Sequence, residues 1–224
     1  LREIRTRLNF DKVITKFINA NRLLPWISER FKTRTTYLII RHPCATISSQ
    51  LKTGWIGYPK KIEQEIHQGN IDLLRKKVLE KSLTIPLVRE KPEIIMKIKK
   101  MKTREELLAV EWSLDYIIPL RVFSDYDWYL VVYEELIKKY ETTLEGIFNK
   151  INEEIPKKAY QVVKKPSITS KETEINAIRQ LQKWKKHLSK EQVRKILDTT
   201  NLFGLDFYTE EAEPDYKKLN KILR

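Results

Sequence analysis

Residues 37–49 read Tyr37-Leu38-Ile39-Ile40-Arg41-His42-Pro43-Cys44-Ala45-Thr46-Ile47-Ser48-Ser49. The residues before Arg41 continue a run that opens at Thr35-Thr36, β-branched and aromatic and apolar on both faces. That is the pattern of a strand buried in a parallel sheet. Pro43 favours an extended residue before it and is well tolerated at a helix start, so a strand-to-helix turn belongs at Arg41-His42-Pro43. Ala45 to Leu51 continues as the helix.

Working outward, Leu8, Val13, Phe17, Ile18, Leu23 and Leu24 fall near helical spacing, which predicts a helix over the first thirty or so residues, broken by Pro25. From Lys52 to Lys102, Ile62, Ile66, Leu73, Leu74, Val78 and Leu83 predict amphipathic helices interrupted at Pro86 and Pro92, forming a helical insertion or acceptor lid. Thr103 with Glu106 has the form of a capping box. The helix it opens carries Leu107, Val110, Leu114, Ile117 and Ile118 on one face. Asp127-Trp128-Tyr129-Leu130-Val131-Val132-Tyr133 reads as a second buried strand, and Glu134 onward as helix. A polar loop over residues 157–173 leads to a helix through Ile175, Ile178, Leu181 and Trp184. Ser189 with Gln192 caps a last helix to about Leu197. Strand, helix, helical insertion, strand, helix is an α/β order with a parallel sheet, and 224 residues fit a single domain.

Hydrophobic residues make up 41% and charged residues 33%, a globular balance. No apolar run approaches the roughly 20 residues that cross a bilayer. Cys44 is the single cysteine, so neither an intramolecular disulfide nor a cysteine zinc cluster can form. The three histidines lie far apart in sequence, and no metal is expected. A lone thiol fits a reducing compartment, and a cytoplasmic location is the expectation. The net charge of +14 attracts polyanions: nucleic acid, acidic lipid, sulfated or carboxylated glycan, or a nucleotide with several phosphates.

In open parallel sheets ligands sit beyond the carboxyl ends of the strands, where helix N-termini aim backbone N–H groups outward. Arg41 stands at such an end, and Ser49 eight positions on. A guanidinium fork and a hydroxyl there could hold one phosphate between them. A structural ion pair is the other reading of an arginine in that place.

Residues 37–49 resemble the 3′-phosphate-binding motif of sulfotransferases: hydrophobic strand, Arg, a polar residue, Pro, a short helical stretch, then Ser. The resemblance implies that Arg41 and Ser49 hold the 3′-phosphate of the sulfuryl donor 3′-phosphoadenosine 5′-phosphosulfate. Leu130-Val131-Val132-Tyr133-Glu134-Glu135-Leu136 looks like the family's strand ending in Tyr-Glu-Asp-Leu, with Glu135 for Asp. Tyr133 then lies near the adenine, the alternative being a core tyrosine. Lys165-Pro166-Ser167 looks like the loop that closes over the nucleotide, which makes Lys165 and Ser167 binding residues. Lys183-Trp184-Lys185-Lys186-His187-Leu188-Ser189 is similar to the family's late basic-Trp-basic segment. The resemblance spans Tyr37 to about Leu197 without residues 52–102. It implies a P-loop-NTPase-like parallel sheet flanked by helices, and transfer of a sulfuryl group to a hydroxyl or amine of a small molecule or glycan.

The family's Gly-, Ser- and Thr-rich phosphate loop has no counterpart, since residues 1–36 contain no Gly. The expectation is that the first strand and loop lie upstream of Leu1; a degenerate paralogue that binds nucleotide without catalysis is the alternative. The general base is unassigned: His67 and Glu111 are candidates, and neither is chosen. Two other classes compete. A nucleic-acid-binding module would use the charge with Trp55, Tyr58 and Trp184 as stacking faces, but no nucleic-acid motif supports it. A phosphate-loop kinase would need a Walker lysine and a Mg²⁺ site, and neither is visible. Membrane association is left open.

Overall fold

A computed structural model describes residues 13–18, 20–162 and 177–224. After a 3₁₀ turn at Asn21–Leu23 come α1 (Leu24–Arg30), β1 (Thr36–Ile40), α2 (Pro43–Thr53), α3 (Lys60–His67), α4 (Ile71–Leu83), α5 (Pro86–Arg89), α6 (Pro92–Lys100) and α7 (Arg104–Arg121). Then follow β2 (Trp128–Val132), α8 (Tyr133–Lys138), α9 (Tyr140–Lys150), α10 (Ala159–Val162), α11 (Ala177–Leu181), a 3₁₀ turn at Lys183–Lys186, α12 (Lys190–Leu202) and α13 (Tyr216–Ile222). The class is α/β and mostly helical. Among the described residues the sheet is a single parallel pair, with Thr36 opposite Trp128 and Ile40 opposite Val132.

Both strands occupy the runs that β-branched and aromatic residues marked out. One expectation fails on β1. The run is apolar on both faces, yet Ile39 is 53% exposed while Leu38 and Ile40 are buried. Side chains alternate across a strand, so Ile39 points away from Leu38 and Ile40; its partner on that face, Val131, is buried, and the exposure is local to Ile39.

The start of the chain also departs from its periodicity. Val13 to Phe17 adopt no helix, and Val13, Ile14, Phe17 and Ile18 are exposed. Pro25 does not end a helix; it sits in the first turn of α1, where its missing N–H costs nothing. The same rule places Pro43, Pro86 and Pro92 in the first turns of α2, α5 and α6.

The helix α7 organises the core. Its capping box is formed as the Thr103–Glu106 spacing requires. Burial is not confined to one face: Leu107, Leu108, Ala109, Val110, Trp112, Leu114, Ile117 and Leu120 are all buried. A helix apolar nearly all round must be enclosed, and α2, α4 and α12 pack against it. Each aliphatic side chain enclosed in this way contributes about 1.5–3 kcal/mol. The helical stretch from Lys52 to Lys102 supplies Ile66, Leu74, Val78, Ile85, Val88, Ile94 and Ile98 to the same core. The Ser189–Gln192 capping box opens α12 as expected, but the helix continues to Leu202. Beyond it Phe203, Leu205, Phe207 and Tyr208 are buried with little regular structure, and this irregular segment reaches the carboxyl ends of the strands.

Candidate functional site

Arg41 follows the last residue of β1, and its main chain is held from two sides. The Tyr116 hydroxyl donates to the Ile39 carbonyl at 2.9 Å, and Trp112 Nε1–H to the Arg41 carbonyl at 3.1 Å. The donors stand one turn apart on α7 and so share a face. On the other side, the His42 backbone N–H donates to Glu134 Oε1 at 2.9 Å. The tip of β1 is thereby fixed to α7 and to the second residue of α8.

His42 caps α2. Its Nδ1 accepts from the Cys44 N–H at 3.1 Å, so the ring's proton sits on Nε2, 2.9 Å from the Thr209 carbonyl. The ring stacks on Trp184, with centroids 4.8 Å apart and planes 22° apart, and it is 1% exposed. Burial, with smaller pushes from Lys185 and Arg41, lowers its pKa to about 4, against the carbonyls of Thr209 and Glu211. His42 is therefore a neutral structural pivot at physiological pH. It joins the strand tip to the late basic-Trp segment and to the chain after α12.

The Arg41 guanidinium carbon lies 4.7 Å from the centre of the Tyr133 ring, a cation–π contact. Arg41 is half-buried, and its Nε finds no hydrogen-bond partner among the described residues. None of the ion pairs among those residues involves it. Tyr133 is the first residue of α8 rather than the end of a strand; its hydroxyl faces Gln180 Nε2 at 3.5 Å. It is neither buried core nor a free face, since the guanidinium already covers its ring.

The nearest acid to this pair in sequence is Glu134, which is 1% exposed. Both of its oxygens are occupied: Oε1 by the His42 N–H, and Oε2 by the Tyr208 hydroxyl at 2.8 Å. Burial raises its pKa, against the His42 and Tyr208 hydrogen bonds and the field of Arg41. Sequence reasoning missed Glu134, Tyr208 and Trp112. The Tyr-Glu pair was visible, but nothing in the sequence couples Glu134 to residues 92 and 74 positions away.

Ser49 lies on α2, half-buried, and its carbonyl accepts from Thr53 Oγ1 at 2.9 Å. Its hydroxyl makes no hydrogen bond among the described residues. Lys165 and Ser167 lie outside the described residues. Cys44 is buried, and burial pushes its thiol up to about 12, so it is no nucleophile.

The two candidate bases meet different fates. His67 is exposed at the end of α3 and packs over Gly54, the C-cap of α2. Glu111 is 6% exposed, with one oxygen bonded by the Tyr58 hydroxyl and the other by Lys81 Nζ. Lys81 also reaches Asp115 Oδ1 at 3.0 Å, and Arg22 Nε approaches that oxygen at 3.7 Å. Neither approach to Asp115 is aligned as a hydrogen bond, so these are charge contacts. Burial raises the Asp115 pKa, and burial followed by Glu111 raises that of Tyr58. Two acids and two bases make a charge-balanced structural cluster. Each Glu111 oxygen is already engaged by one donor, so the group is tied into this cluster.

A cavity of about 480 Å³ opens beside this region, lined by Lys138, Gln182, Glu211, Glu213 and Asp215 among others. Its lining includes none of Arg41, Ser49 and Tyr133, and Lys138 is paired with Glu213. Carboxylates of that density repel phosphate, so the cavity is not the anion site. Of the three aromatic residues that a nucleic-acid surface would use, Trp184 is buried and the Tyr58 hydroxyl is bound by Glu111, which leaves Trp55 exposed.

Among the described residues no group of three or more His, Cys, Asp or Glu is placed to hold a metal ion, and no helix is long and apolar enough to cross a membrane. In comparisons with known proteins, no family model, no curated protein and no solved structure matches this chain.

Proposed function

We propose that the chain is the nucleotide-binding body of a sulfotransferase that uses 3′-phosphoadenosine 5′-phosphosulfate and transfers its sulfuryl group to a hydroxyl or amine. The observation that carries the reading is the state of Arg41. A half-buried Arg41 stands at the tip of a parallel strand, stacked on Tyr133, its enclosed Nε without a partner among the described residues and the neighbouring acid engaged elsewhere. Such a group supports a charge-assisted, bidentate hold on a phosphate. The Ser49 hydroxyl on α2 is the second donor of the pair, and Lys165 and Ser167 are the further binding residues that the resemblance implies. Tyr133 backs the guanidinium and borders the adenine.

In this reading the P-loop-like sheet presents the 3′-phosphate end of the donor to Arg41. The sulfuryl end falls to a phosphate loop of the kind that the resemblance implies. Transfer moves sulfur from the 5′-phosphate oxygen to the acceptor oxygen or nitrogen. The acceptor's proton passes to a base, and adenosine 3′,5′-bisphosphate leaves. The charge of +14 and the helical wall of residues 52–102 favour an anionic acceptor such as an acidic sugar. A reducing compartment, the cytoplasm, suits the buried free thiol of Cys44.

The deciding experiment is binding of adenosine 3′,5′-bisphosphate, followed as a rise in melting temperature. Wild type should be stabilised progressively, with the logarithm of ligand concentration once binding saturates, and Arg41→Ala should lose the shift. An equal shift in the variant would remove Arg41 from the site; stabilisation by ATP in preference to the bisphosphate would point to a kinase.

A further inference from the structure

We infer that Tyr208 acts as a latch that keeps Glu134 off Arg41, so that the guanidinium stays available to an anion. The inference rests on Arg41 as the phosphate anchor proposed above.

At the carboxyl ends of β1 and β2, Arg41-His42 and Tyr133-Glu134 are set side by side. A buried carboxylate beside a half-buried guanidinium is the usual recipe for an internal ion pair, which would quench the site. The pair is not made. Glu134 accepts from the His42 N–H through Oε1 and from the Tyr208 hydroxyl through Oε2. Arg41 instead lies over the Tyr133 ring with its Nε unpartnered among the described residues. The two groups still feel one another, since Arg41 stabilises the charged form of Glu134.

The carboxylate is restrained by main-chain N–H groups, those of His42 and of Glu134 itself, and by a single side-chain hydroxyl. The hydroxyl comes from the irregular segment after α12, and its ring is fixed independently by His42 at 4.7 Å and Trp112 at 6.1 Å. Removing that hydroxyl takes from Oε2 its side-chain donor. A buried carboxylate oxygen that has lost a donor is drawn toward the nearest cation, and the cation whose field reaches Glu134 is Arg41. Tyr208 is therefore a positioning residue: it touches no ligand and acts through Glu134.

The test compares wild type, Tyr208→Phe and Tyr208→Phe/Glu134→Gln, the last having no charge to offer Arg41 while keeping an oxygen for His42. Affinity for adenosine 3′,5′-bisphosphate is measured by calorimetry, and the Arg41 Nε–H resonance by nitrogen-15 NMR, assigned with Arg41→Lys. Tyr208→Phe should bind at least tenfold more weakly, and the double variant should return to within about threefold of wild type. The Nε–H resonance should move in Tyr208→Phe as it gains an acceptor, and move back in the double variant. A merely structural role for Tyr208 would give a double variant at least as impaired as the single one, and that result overturns the latch. An unmoved resonance overturns it whatever the affinities. If the bisphosphate does not bind wild type but the resonance moves and returns, the donor assignment falls and the latch stands.

Discussion

The guanidinium carbon of Arg41 sits 4.7 Å from the centre of the Tyr133 ring, each residue directly following the last position of one of two paired parallel strands. The register of the sheet, Ile40 opposite Val132, brings them together. The strand run and the Tyr-Glu pair were each legible alone. Their juxtaposition was not.

The contact makes Tyr133 a support for the anchor. Tyr133→Leu keeps an apolar side chain but removes the π face, worth about 1 kcal/mol at a partly desolvated site. Affinity for adenosine 3′,5′-bisphosphate should fall roughly fivefold, while Arg41→Ala abolishes binding. Titration calorimetry on the two variants separates them; equal losses would mean that Tyr133 meets the ligand as strongly as Arg41 does.

His42 gives the stability an acid limb. Its folded pKa of about 4 lies below the ordinary 6.5, so between those values the unfolded chain binds a proton that the folded protein refuses. Stability from this group is full above pH 6.5 and falls as pH drops toward 4, by on the order of 3 kcal/mol at about 1.4 kcal/mol per pH unit. Burial dominates the shift, and the positive charges of Lys185 and Arg41 add to it. Glu134 works in the opposite sense: its raised pKa removes stability as pH climbs above 4.5. That term is common to wild type and His42→Asn, which retains an N-cap acceptor. The stability difference between these two proteins, from urea titrations, should therefore be greatest at pH 7 and shrink steadily toward pH 4. A constant difference across that range would mean that His42 is not held neutral.

Local chemistry carried most of what could be read in advance. The β-branched and aromatic runs at residues 35–40 and 127–133 marked both strands, each overrunning the strand formed by a residue or two, and Thr103 with Glu106 and Ser189 with Gln192 marked two helix starts to the residue. Periodicity alone misled where no tertiary partner backed it. Val13, Phe17 and Ile18 are spaced for a helix and form none, because helix formation in water depends on a packed face. The segment Phe203–Tyr208 went unread for the converse reason. It has no period, yet its aromatic residues complete the core and deliver the Tyr208 hydroxyl to Glu134. Of the proposed binding residues, Arg41 and Tyr133 directly follow the two strands, and Ser49 lies on α2. The groups that hold them come from α7 and from beyond α12, and only the folded chain reveals those.

Gly54 closes α2 with a φ of +72°, and a Cβ there would stand 2.8 Å from His67 Nδ1. Gly54→Ala should cost about 1–2 kcal/mol from the left-handed backbone, plus the clash with the ring. In a His67→Ala background the clash vanishes and the backbone cost remains. The substitution should thus be milder there, with bisphosphate affinity unchanged, and denaturant midpoints of the four proteins read the difference. Equal costs in both backgrounds would mean that the imidazole yields freely.

The cluster at Lys81 decides whether Glu111 is structural. Lys81 contacts both Glu111 and Asp115, and Arg22 is the other cation. Lys81→Met leaves buried Glu111 and half-buried Asp115 facing one guanidinium, and breaking a buried pair costs about 3–5 kcal/mol. Lys81→Met/Glu111→Leu leaves Asp115 with Arg22 and restores neutrality, so it should cost less than the single substitution despite changing more atoms. The Tyr58 hydroxyl loses its acceptor in the double variant, a penalty of about 1–3 kcal/mol that limits the recovery. Chemical denaturation of both variants, with Glu111→Leu alone to close the cycle, yields the coupling energy. A double variant as unstable as the two single losses combined would show that Glu111 and Lys81 do not depend on each other, and would reopen Glu111 as a group held for chemistry instead of for the fold.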